Sequence, residues 1–175
     1  VIALDDQRRW YRYHHLFADV LQAFAASDLH DELPALHRRA SAWYERQGAV
    51  TDAVRHALAA SDTERATDLV EAAAFEMRRT RQGGTLLRWI EALPTAEVER
   101  RPMLSLALAA TLLDSGQLED VGRHLDAAER SISDAADPLL GSIAMHRAGL
   151  ALVAGDTPTA LHHARHALEV APSED

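Results

Sequence analysis

The side chains best able to do chemistry in this 175-residue sequence are its histidines, carboxylates and arginines. His162, His163 and His166 form the most suggestive cluster. His162 and His166 stand one helical turn apart and share a face, a spacing that can present two nitrogens to one ion. A zinc site takes a third or fourth ligand, and no Cys or nearby Glu completes this one, so the expectation is a polar helix face and no metal. His14-His15 suits packing at a helix start rather than catalysis. Asp5-Asp6 with Arg8-Arg9 reads as a solvated turn with local ion pairs, each worth little. Arg78-Arg79 with Arg81 is a dense basic run that suits a solvated helix end or a contact with another domain. Trp10, Trp43 and Trp89 could line a pocket, but tryptophans at helical spacing are more often core.

The absent residue types narrow the chemistry further. All 18 basic residues are arginine and there is no lysine, so no Walker A loop can be completed, no Schiff base can form and no lysine can act as a base. Cysteine is absent, which removes disulfides and thiolate sites. No nucleophile sits in a recognisable motif. The expectation is a chain with no catalytic residues and no cofactor of its own. A formal net charge of −9 argues against direct nucleic-acid contact through a basic face. No apolar run approaches the length of a membrane span, and Val1 to Leu4 is too short for a signal peptide, so a cytoplasmic protein without membrane contact is expected. The start, without Met and inside an apolar segment, reads as a cut in a longer protein.

The elements that carry these side chains are helical. The chain is 47% hydrophobic but only 5% aromatic, a balance set by Ala and Leu, which favour helices over sheets. The first residues differ: Val1 to Leu4 and Trp10 to Tyr13 are β-prone around a polar turn, the pattern of a small hairpin. From His14 onward Leu16, Phe17, Val20, Leu21 and Phe24 form one apolar stripe. Pro34 suits the first turn of a second helix that stops at Gly48. Further helices are expected near 51–60, 63–79, 85–92, 102–115, 118–133, 138–154 and 158–170. They are separated by Ser61-Asp62, Gly83-Gly84, Leu93-Pro94, Gly116, Asp137-Pro138 and Gly155-Asp156.

Two of these turns repeat. The segment from Gly116 to Val121 aligns with that from Gly155 to Ala160, and downstream Ala128 aligns with Ala167. Glycine permits a sharp reversal between antiparallel helices, the alanines allow close helix approach, and Pro172 stops the second copy. The turns at Gly48 and Ser61 follow the same grammar. The spacing from Gly116 to Gly155 is 39 residues, longer than a standard tetratricopeptide repeat, so the copies are degenerate. The fold class expected is all-α, a tetratricopeptide-like solenoid of helical hairpins after a short β-hairpin start.

Specific residues also resemble a known family. These are Leu4-Asp5-Asp6, the run from Arg9-Trp10-Tyr11-Arg12-Tyr13-His14-His15-Leu16-Phe17 to Leu21, the segments Leu36 to Tyr44 and Ala53 to Ala60, and Leu86 to Pro94. Together they resemble the large ATP-binding LuxR/MalT-type transcriptional regulators of bacteria. The resemblance implies an order of parts: an N-terminal ATPase, a winged-helix unit, a helical sensor and a C-terminal helix-turn-helix. On that reading residues 1–26 end a winged-helix unit, 27–101 are a helical linker of degenerate hairpins, and 102–175 are tetratricopeptide-like repeats. ATP is then expected in the parent protein, outside this chain.

In tetratricopeptide geometry the first helix of each hairpin lines the concave surface. That register selects Met103, Leu106, Ala110 and Leu113, then Ser142, Met145, Gly149 and Leu152, as ligand- or partner-binding positions. The face is apolar, small and Met-containing, suited to a partner helix or an apolar patch rather than a charged tail. The leading expectation is a non-catalytic sensor and interaction segment that binds an inducer or partner protein and relays the event to ATPase and DNA-binding domains. The alternative is a protein–protein scaffold with no small-molecule ligand.

Overall fold

The computed structural model describes residues 2–3, 11–134 and 137–170. The expected Asp5-Asp6/Arg8-Arg9 turn, Trp10 and Pro172 lie outside the described residues. The chain divides into two compact units, Val1–Asp62 and Thr63–Asp175.

In the first unit, β1 (Ile2–Ala3) and β2 (Tyr11–Arg12) pair antiparallel with Ile2 opposite Arg12 and Ala3 opposite Tyr11. Helix α1 (His15–Asp28) follows, carrying the expected stripe, but Leu16, Phe17, Val20, Leu21 and Phe24 are all exposed. Helices α2 (Leu33–Arg46) and α3 (Val50–Ala59) then form a hairpin, with Pro34 in the first turn of α2. Ala53, Val54 and Ala57 of α3 are buried, and the buried Ser41 hydroxyl of α2 donates to the Ala53 carbonyl at 2.8 Å. That bond satisfies a buried hydroxyl and fixes the two helices in register.

The second unit is a run of hairpins: α4 (Thr63–Arg79) with α5 (Gly83–Glu91), α7 (Pro102–Asp114) with α8 (Val121–Arg130), and α9 (Leu139–Val153) with α10 (Thr157–Val170). Helix α7 packs against α4, α5, α8 and α9, and against the short α6 (Thr95–Arg100). The nine residues from Leu104 to Leu112 are all buried, as an apolar surface on every side requires. Its two hydroxyls find carbonyls inside: Ser105 donates to Val98 at 2.9 Å and Thr111 to Ala107 at 2.7 Å.

Neighbouring hairpins are also clasped by arginines. Arg101 reaches Asp68 and Glu71 of α4 at 2.6 and 2.9 Å, and Arg147 of α9 reaches Asp126 and Glu129 of α8 at 2.7 and 2.6 Å. In both cases the carboxylates are three residues apart, hence on one helical face.

The expected turn grammar is present. Gly48, Gly116 and Gly155 have φ of +72°, +75° and +78°, where a Cβ would be disfavoured. In each, the next residue's amide bonds back to a carbonyl five residues earlier, as Gln117 does to Leu112 at 2.9 Å and Asp156 to Ala151 at 2.9 Å. Val121 and Ala160, and Ala128 and Ala167, which the repeat aligns, are all buried.

Three local expectations are corrected. Helix α6 was not anticipated: Pro94 starts it in an extended conformation and six residues are too short to show a period. Gly83-Gly84 is not the break between α4 and α5 but the first two residues of α5, and the left-handed turn residue is Arg81 at φ +58°. Trp43 is not core: it is 41% exposed and meets Tyr44 edge-on at 4.9 Å between ring centres. Trp89 is half-buried.

Candidate functional site

The eight positions selected from the sequence fall into two groups. Leu106 and Ala110 of α7 are buried beneath the surface, and Leu113 is half-buried. Met103, Ser142, Met145 and Leu152 are exposed, and Gly149 is half-buried. A Cβ on Gly149 would stand 3.3 Å from the Leu113 side chain, so this glycine is where α9 seats closely on α7.

Met145, Gly149 and Leu152 come together on α9 along one wall of an open groove of about 560 Å³. The other wall is α10, through Ala160, Leu161, Ala164, Ala167 and Leu168. Met145 is 63% exposed, Leu152 64% and Leu168 78%. None of the lining residues is ionisable, so the groove offers dispersion and hydrophobic contact without a charge to recognise. The sequence register missed the α10 wall, although Leu161, Ala164 and Leu168 stand at i, i+3 and i+7, a helical stripe.

Those histidines do not converge. The rings of His162 and His163 meet edge-on at 5.4 Å, and His166 lies 3.8 Å from Glu169. Among the described residues no three His, Asp or Glu side chains are placed to share a metal ion. Burial and the neighbouring Arg147, His162 and His166 charges hold His163 below its ordinary pKa.

Two further histidines sit in structured surroundings. In the first unit, His37 Nδ1 and His56 Nδ1 are 2.8 Å apart and Tyr44 stacks on the His56 ring at 5.3 Å. At this contact one imidazole must donate and the other accept. Burial, Arg55 and His37 all push the His56 pKa down. In the second unit His124 of α8 is buried, and its pKa is lowered by burial first and by Arg123 next, against the pull of Asp120 and Glu99. Its Nε2 lies 3.3 Å from the Arg123 guanidinium, which can only donate, so the ring proton of the neutral form belongs on Nδ1.

No described helix is long and apolar enough to cross a membrane. Residues 1–33 match the MalT winged helix domain. Over 105 residues, 60% of this chain, the sequence is 41% identical to 10% of the serine/threonine-protein kinase PknK of Mycobacterium tuberculosis strain H37Rv. Over 170 residues, 97% of this chain, it is 32% identical to the HTH-type transcriptional regulator MalT of Klebsiella pneumoniae strain 342, covering 19% of that protein. MalT of Cronobacter sakazakii is 31% identical over the same length. No solved structure matches. The chain spans a fifth or less of the curated relatives it matches. With a winged-helix match at its start and a MalT match along almost all of its length, the chain is similar to one segment of the MalT transcriptional regulators.

Proposed function

We propose that this segment is the non-catalytic sensor and interaction part of an ATP-dependent LuxR-type regulator. It binds an inducer or partner protein and relays that event to ATPase and DNA-binding domains of the parent. The observation that carries this reading is the uncharged groove between α9 and α10, which includes three of the positions selected from the sequence. A surface of Met, Leu and Ala at helical spacing suits the apolar face of a partner helix. Hairpins that contact only their neighbours give such binding a route outward, because an occupant of one face biases the stacking of the next.

The test is a Leu152→Gln, Leu161→Gln double variant built into the full-length regulator. The exposed positions predict an unfolding midpoint within a few degrees of the parent's, with loss of stimulus-dependent transcription from a reporter promoter. A double variant that responds like the parent would remove the groove from the mechanism. A plain scaffold differs in one respect: no small molecule raises its melting midpoint by mass action.

A further inference from the structure

The basic run at Arg78, Arg79 and Arg81 plays no part in the groove. The three arginines line a separate cavity of about 620 Å³ between the last turn of α4, the start of α5 and the end of α7. Asp114 is the one carboxylate among its lining residues. The volume falls in the range of small-ligand sites.

The guanidinium groups are not all consumed. Arg79 is held bidentately by Glu76 at 2.8 and 2.7 Å, so it is neutralised outside the cavity. Arg78 makes one contact with Asp114, Nη2 to Oδ2 at 3.1 Å, and its Nε is buried with no acceptor among the described residues. Arg81 is exposed and meets no carboxylate among the described residues. Favourable interaction with the carbonyl end of α4 accounts for Arg78 and Arg79, which lie in its last turn. It does not account for Arg81, which follows the helix and occupies a left-handed turn position that is glycine in the α7–α8 and α9–α10 turns.

The walls suit an anion with an organic part. Guanidinium is planar, donor-only and geometrically matched to phosphate oxygens. Gly84 has open space where a Cβ would stand, leaving the approach clear, and Leu87 gives an apolar wall. Two guanidiniums with spare donors against a single carboxylate favour a doubly charged group over a lone carboxylate. We propose that this cavity binds a small phosphorylated molecule, with its phosphate taken between Arg78 and Arg81.

Inorganic pyrophosphate, titrated calorimetrically into the 175-residue chain at constant ionic strength, tests this, with citrate as the carboxylate control. Saturable one-to-one binding is expected, weakened at least tenfold in Arg81→Gly. That variant retains or raises the melting midpoint, since glycine suits the +58° φ at this position. Asp114→Asn is expected to tighten binding several-fold by removing the competing carboxylate and releasing Arg78. Absence of saturable heat at millimolar pyrophosphate, an unchanged Kd in Arg81→Gly, or citrate binding as tightly as pyrophosphate would each overturn the proposal.

Discussion

Helices α7 and α9 are near twins in sequence and opposites in environment. Both are mostly apolar, α7 as PMLSLALAATLLD and α9 as LLGSIAMHRAGLALV, whose His146 and Arg147 are its polar interruption. In α7 a run of nine residues is buried, whereas in α9 only Gly141, Ile143 and Ala144 are, and Met145, Leu152 and Val153 stand open. The difference lies in the neighbours. Helix α7 is enclosed by α4, α5, α6, α8 and α9, while α9 packs, among the described residues, chiefly on α7, α8 and α10. An apolar helix announces that it should be covered, but position in the array decides how much of it is covered within this segment.

The contrast can be broken most directly by truncation. Leu104 is fully buried, and Leu104→Ala is expected to destabilise the chain by about 2–5 kcal/mol through lost transfer energy and the cavity left behind. Leu152→Ala on α9 removes the same atoms from an exposed site and should stay within about 0.5 kcal/mol. Urea unfolding of the two variants at equal slope decides it, and comparable losses would mean that the α9 face is as enclosed as α7.

The turns sharpen the comparison from the other side, because they do not depend on burial. Gly116 and Gly155 share nearly the same φ, and neither would meet a neighbour with an added Cβ. Gly116→Ala and Gly155→Ala should therefore each cost about 1–2 kcal/mol from backbone strain alone. Unequal losses in thermal melts would show that the two hairpins are not the equivalent units their alignment suggests.

The smallest effect is in the pH response. His124, beside the core, has a folded pKa held below its ordinary 6.5, so the unfolded chain binds protons that the folded chain refuses. Its contribution is complete above that value and is lost as pH falls from 6.5 towards the lower folded pKa. The melting midpoint should drop between pH 7 and pH 5, and the drop should shrink in His124→Phe. His56 has the same sign in the first unit, so part of the slope survives that substitution. An unchanged slope would show that His124 is as easily protonated folded as unfolded.

Much of the array was legible beforehand because its signals are local. Glycine at a left-handed turn, proline in a first helical turn and alanine at close crossings act within a few residues of themselves. The helix Thr63–Arg79 falls at its expected bounds, and the Gly116 and Gly155 turns are in their expected places. Arg81 escaped because nothing in its residue type marks a positive φ, and the glycines two and three positions later drew the break towards themselves. Gly83 serves packing: a Cβ there would stand 3.3 Å from the Thr111 methyl of α7. The candidate groove was half visible. Its α9 wall followed from the repeat register, but its α10 wall required knowing which side of each helix the preceding hairpin leaves open.

The sequence by itself determined that this chain is helical, where most of its hairpins turn, and which regulators it resembles. Each of those rests on residue types acting over one or two turns, or on matched residues. Only the tertiary structure decided that Leu106 and Ala110 are core while Met145 and Leu168 face outward, and that three arginines share a cavity. Burial is a property of the surroundings, and a side chain that is apolar in either place carries no mark of which neighbours will reach it.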